Sequence, residues 1–94
     1  MTLQSISPVH IVTYDGAHLN VYHANKGQGL PRHQHIYAHL TIVHAGKLVA
    51  RKEGRELVMT KDTQPVNLIA NEWHELEALE DNTVFVNVFS EGKY

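Results

Sequence analysis

Apolar residues in this chain recur at alternate positions in short runs, with turn residues between the runs and almost no helical periodicity. Many short strands at near-regular spacing point to an all-β sandwich or barrel. Val9 to Tyr14 reads as a strand closed by the turn pair Asp15-Gly16, and Leu19 to Tyr22 as a second. Gly27, Gly29 and Pro31 mark a loop whose backbone needs special dihedrals. Strand signals resume over Arg32 to Tyr37 and His39 to Val43. Lys47 to Arg51 and Leu57 to Met59 flank the turn Glu53-Gly54 as a hairpin. Gln64 to Ile69, Trp73 to Leu79 and Thr83 to Ser90 complete the series, with a loose tail over Glu91 to Tyr94. The Glu, Leu and Ala content of Glu72 to Asp81 also allows a competing helix.

The 94 residues make one domain, 1–94, with a strand core over about 9–90. A chain this short buries a modest share of its surface and gains from a metal ion or a partner subunit. It contains no cysteine, which removes disulfides and thiolate metal sites and leaves imidazole and carboxylate as strong ligands. The net charge of −2 gives no footprint for nucleic acid. The N-terminus lacks a basic start and an apolar stretch, and no run approaches the ~20 apolar residues of a membrane span. A soluble, cytoplasmic protein is the expectation.

Histidine is the compositional anomaly, with eight in the chain, dispersed and internal. His33-Gln34-His35 is an H-x-H pair, and in an extended strand residues i and i+2 share one face. Both imidazoles then converge on one point, while two surface histidines are the plain alternative. Continued parity places Tyr37, His39, Thr41 and Val43 on the same face. Tyr37 and Thr41 thereby become candidates for lining a cavity.

The framing residues carry a resemblance. Gly27 is followed by five residues, His33-x-His35, three residues, His39, six residues and Gly46. This resembles the first signature of the cupin superfamily, G-x5-H-x-H-x3-E-x6-G, with His39 where that family has glutamate. The second signature, G-x5-P-x-G-x2-H-x3-N, is matched at His74. Thr63 and Asn71 stand at its two glycines, Ile69 at its proline and Ala78 at its asparagine. Asparagine tolerates the left-handed conformation of a tight turn, so Asn71 is a fair substitute.

The resemblance implies a cupin-type, RmlC-like β-barrel (a double-stranded β-helix, or jelly roll) of two antiparallel sheets. It also implies one mononuclear site for a divalent transition metal, held by His33, His35, His39 and His74. Iron, nickel, zinc, manganese and copper all suit imidazole. Replacing the carboxylate by imidazole leaves four neutral ligands, so the ion keeps its full formal charge and favours anionic or chelating ligands. Similar small cupins pair through N-terminal strands, which makes Val9 to Tyr14 the element of an expected homodimer.

Of the remaining histidines, His44 has the opposite parity to His39 and faces outward, and His10, His18 and His23 carry no assignment. Trp73 points away from its neighbour His74. Thr83 to Ser90 is apolar on both faces and is expected between two layers. Asn87 within it then needs a partner, for which an imidazole N–H beside the metal is a candidate. Glu72 and Glu75 belong to an acidic edge and could serve as a general base only if their loop folds over the cavity.

The functional expectation is a metal-binding protein whose open coordination positions take a small oxygenated ligand. Two enzymatic alternatives stand beside it: dioxygenation of a diketone or phenolic compound, and isomerisation or ring opening of a sugar acid. A non-catalytic small-molecule or metal-binding module is the third reading.

Overall fold

The computed structural model describes residues 3–90, and the tail Glu91 to Tyr94 lies outside them. Ten strands are present: β1 Gln4–Ser5, β2 His10–Tyr14, β3 Ala17–Ala24, β4 Gln28–His33, β5 His39–Ala45, β6 Leu48–Lys52, β7 Arg55–Met59, β8 Val66–Leu68, β9 His74–Ala78 and β10 Thr83–Ser90. They form two five-stranded sheets, β1-β4-β9-β6-β7 and β2-β3-β10-β5-β8. All pairings are antiparallel except β1 with β4. From β3 onward the chain changes sheet at every connection except the β6–β7 hairpin. This is a jelly-roll arrangement of two open sheets; neither is hydrogen-bonded into a closed cylinder among the described residues.

Alternation dictates which side chains enter the core. On β9 the inward residues are His74, Leu76 and Ala78, and on β10 Thr83, Phe85, Asn87 and Phe89, all buried. Tyr22 and Phe85 stack between the sheets, with ring centroids 4.9 Å apart. Leu30, Leu48, Met59, Leu68 and Leu76 pack around them. Burying a ring such as Phe85 contributes about 2–3 kcal/mol.

Two expectations need correction, and the competing helix is excluded in favour of the expected strand. Glu72 to Asp81 is not helical, because the apolar period of two through Leu76 and Ala78 fills the core where helical spacing would not. The expected strand over Arg32 to Tyr37 ends at His33, where the β4–β9 register shifts and the chain leaves for the other sheet. Thr83 to Ser90 does not lie between two layers: Val84, Val86 and Val88 face outward and stay partly exposed. The short parallel strand β1 had no sequence signal.

Two glycines are fixed by the fold. A Cβ on Gly29 would overlap the carbonyl oxygen of Leu76, so β4 and β9 approach closely only because position 29 is bare. Gly46 has φ +77°, and a Cβ there would run into Thr83. Gly29→Ala is therefore expected to lower stability by about 2–3 kcal/mol through forced separation of the strands. Gly16→Ala, facing open space, is expected to lose about 1 kcal/mol from its left-handed backbone. Urea titrations of the two variants check the order, and equal losses would contradict the close approach.

Candidate metal centre

The β4–β5 connection and the start of β9 meet at one end of the sandwich. His33 closes β4 and pairs in register with His74, the first residue of β9. His35 lies in the crossing to β5, and His39 opens β5 on the opposite sheet. Candidate ligand atoms of His33, His35 and His74 all lie within 4.8 Å of one another. Their ring centroids are 4.4 Å (His33–His74) and 5.0 Å (His33–His35, His35–His74) apart. Of the four expected ligands, His33, His35 and His74 converge as one group. His39 stands beside the group, 4.9 Å from the His35 ring and 5.5 Å from that of His74, because it projects from the facing sheet. The H-x-H pair converges where the chain has left the strand, His33 being its last residue and His35 lying beyond it.

Each of the three rings is oriented by a backbone carbonyl. Nδ1–H of His33 donates to Pro31 O at 2.6 Å, that of His35 to Tyr37 O at 3.2 Å and that of His74 to Glu72 O at 2.9 Å. Donation from Nδ1 leaves the lone pair on Nε2, the tautomer a metal ligand needs. Nε2 of His74 is buried and has no hydrogen-bond partner among the described residues. An orphaned buried acceptor aimed at two other imidazoles fits a metal ion. Asn71, at φ 64°, adopts the left-handed turn expected of it, and its N–H donates to His35 O at 2.7 Å. The loop before His74 is thereby tied to the loop that carries His35.

Burial is the main cause that pushes His39 down to about 4, reinforced by the charges of His35 and His74 when protonated. Burial likewise takes His74 down to about 4, against the carbonyl of Glu72, which favours its protonated form. His35 is also lowered, first by burial. His35, His39 and His74 are thereby held in the neutral form near pH 7.

The other expected residues are distributed as follows. Tyr37 is exposed and contributes its carbonyl rather than its ring. Thr41 is fully buried on the inward face of β5, and its hydroxyl donates to Asn87 Oδ1 at 2.7 Å. Asn87 therefore pairs with Thr41, not with an imidazole. His10, His23 and His44 are exposed, His23 donating to Asn82 Oδ1, and His18 stacks on Phe89 at 4.7 Å. Trp73 points outward, with the Arg32 guanidinium 5.3 Å from its ring centroid. Glu75 faces outward toward Arg51, on the opposite side of β9 from His74.

Sequence reading missed Lys52. It is buried on the inward face of β6, in register with His74, and its Nζ lies 3.1 Å from Glu72 Oε1 and 3.2 Å from Asn67 O. The alternation Leu48, Ala50, Lys52 was the available signal. The Pro31, Tyr37 and Glu72 carbonyls had none, since backbone groups carry no residue signature.

No family model matches the chain, and none of the curated proteins matches it in sequence. Solved structures do match. A cupin-2 domain containing protein from Shewanella frigidimarina superposes with a TM-score of 0.73 at 9% identity, over 92% of this chain and 84% of that one. KdgF from Halomonas sp. gives 0.77 at 19%, over 86% and 76%. A cupin superfamily protein from Desulfitobacterium hafniense gives 0.71 at 8%, over 90% and 81%. The chain has a cupin fold. At these identities the likeness extends to the fold alone, and the histidine cluster within this cupin fold stands on its own geometry.

Depressed imidazole pKa values make the metal-free protein sensitive to acid. Between about pH 4 and 6.5 the unfolded chain takes up protons at His39 and His74 that the folded chain excludes, so stability rises with pH across this window and levels off above it. Urea midpoints of metal-free protein at pH 4.5 to 7.5 check this. A midpoint flat over that range would contradict the buried neutral cluster.

Proposed function

We propose that this protein binds one divalent transition metal through Nε2 of His33, His35 and His74, with His39 as a fourth ligand from the facing sheet. Its open coordination positions take a small oxygenated ligand. The observation that carries the reading is the buried Nε2 of His74, without a partner and pointed into a group of imidazoles whose Nδ1 atoms are already committed to carbonyls. When bound, such an ion supplies Lewis acidity and a fixed positive charge between neutral ligands. The chain's own residues hold the imidazoles in one tautomer, keep them neutral through burial and tie the two ligand loops together. Glu72, engaged by Lys52, and Glu75, turned outward, are not free bases, which favours a binding module over acid–base catalysis.

Untagged protein is expected to contain about one equivalent of transition metal per chain by elemental analysis. Because the ligands come from both sheets, chelation is expected to lower Tm by about 10 °C or more. His74→Ala is expected to weaken metal binding by more than about 100-fold. His39→Glu, which restores a carboxylate at that position, retains the ion. Protein that takes up no metal on reconstitution, or that is indifferent to chelation, contradicts the proposal.

A homodimer belongs to the same reading, but through a broader surface than Val9 to Tyr14. Val12, Leu19, Val88 and Leu40 form one outward row across β2, β3, β10 and β5, and Val21, Val86 and Ile42 the next. Val12, Leu40 and Ile42 are exposed. Nothing in the chain covers this apolar sheet face among the described residues, and a second copy would complete a second sandwich. Sedimentation is expected to give a dimer for the native chain and a monomer for Ile42→Glu. A native monomer at about 100 µM, a concentration at which typical dimers persist, contradicts it.

A further inference from the structure

Charge is divided unequally between the two sheets. Strands β2, β3, β10, β5 and β8 contain no Asp, Glu, Lys or Arg at any position. The outward face of the first sheet instead carries Arg51 held among Glu56, Glu75 and Glu77. On the second sheet the side chains that gain charge in weak acid are histidines, and on its outward face these are His10, His23 and His44, all exposed. We propose that this face is a pH-controlled contact between two copies of the chain, formed while the three histidines are neutral and released when they are protonated. The proposal rests on the dimer reading above and adds its regulation.

Register places the histidines among the apolar rows. His10 stands in the row of Val21, Val86 and Ile42. His23 is opposite Val84 in the next row, and His44 follows Ile42 by two residues on β5. Their neighbours on β3, β10 and β5 are thus Val21, Val84 and Ile42, and no strand of the sheet offers a countercharge. The charged groups near this end belong to turns and are engaged there. Lys47 pairs with Glu80, Lys61 with Asp62, and Asp81 accepts the backbone N–H of Lys26. His23 donates to Asn82 Oδ1 from Nε2, so its added proton goes to Nδ1.

The two apolar rows alone are too small for a stable contact. At sheet spacings they cover about 300 Å², whereas a specific interface buries about 800 Å² per partner. A second copy on this face must therefore extend over the row of His23, Val84 and His44 as well. A partner of fixed charge finds no countercharge on these strands, while a second copy brings an equally uncharged surface. In a two-fold contact both copies present the same patch, so acid adds the three charges of each copy to one interface. Neutral imidazoles are tolerated there. Protonated ones must lose water against valine and isoleucine with no acid to pair with. Separation restores their hydration, so protons and the second copy compete for this face.

Sedimentation of the native chain at pH 7.5 and 6.0 tests the switch. The dissociation constant of the dimer is expected to rise about 10-fold or more at the lower pH. The triple variant His10→Gln, His23→Gln, His44→Gln replaces three exposed imidazoles by neutral amides, and its dimer is expected to be equally tight at both pH values. Circular dichroism at pH 6.0 is expected to show both proteins folded. The variant keeps the buried imidazoles His39 and His74, so a pH dependence that arises from the metal end or from the fold persists in it, and such persistence overturns the proposal. A native dimer equally tight at both pH values also overturns it, while leaving the dimer reading intact. A native monomer at pH 7.5 removes that reading and the switch together.

Discussion

Three imidazoles drawn together between two sheets can share one space only if they are uncharged, and the rest of the site follows from that constraint. Protonated rings at centroid separations of 4.4 to 5.0 Å repel one another, and burial penalises charge on His35 and His74 further. The fold meets this by giving each ring one committed hydrogen bond at Nδ1, and burial lowers the proton affinity of His35 and His74. What would be a cluster of unsatisfied acceptors becomes a coordination site once a cation occupies the centre. On the proposed reading the arrangement is unfavourable without an ion and would be favourable with one, so binding an ion would stabilise the fold.

Topology supplies the positions. A jelly roll that changes sheet at almost every connection collects its crossings at the ends of the sandwich. The β4–β5 crossing carries His33, His35 and His39 within seven residues, and the β8–β9 crossing delivers His74 opposite them. Asn71 then fastens one crossing to the other through the His35 carbonyl. Residues deeper along the same strands, Thr41, Val43, Leu76 and Ala78, belong to the packed interior. The polar end and the apolar core are thus successive inward positions on common strands, which ties the ligand geometry to core packing.

Much of this was legible in the sequence, for identifiable reasons. Short apolar and β-branched runs between turn residues placed β2, β5, β9 and β10 close to their observed bounds, because such runs are what a strand leaves in a sequence. Spacing marked His33, His35 and His74, and the left-handed tolerance of asparagine explained Asn71. The end of β4 at His33 was not legible, since local parity cannot reveal where a strand stops to change sheets. Nor was the offset of His39, which depends on the gap between two sheets and not on any local run. Asn87 found Thr41 because cross-strand register, invisible in one strand, sets them side by side.

Lys52 shows how much rests on register of this kind. Read as part of Arg51-Lys52 and Arg55 at a turn, it is one more surface cation. Placed on the inward face of β6 beside His74, it ties Glu72, whose carbonyl orients that imidazole, to β8 of the opposite sheet through Asn67. A single side chain thereby couples the metal end, the loop before β9 and the facing sheet. Arginine at 52 would keep the charge but not the shape, since a guanidinium fork cannot replace a compact ammonium between a carboxylate and a carbonyl without moving one of them. The position is constrained by geometry as strictly as the imidazoles are by neutrality.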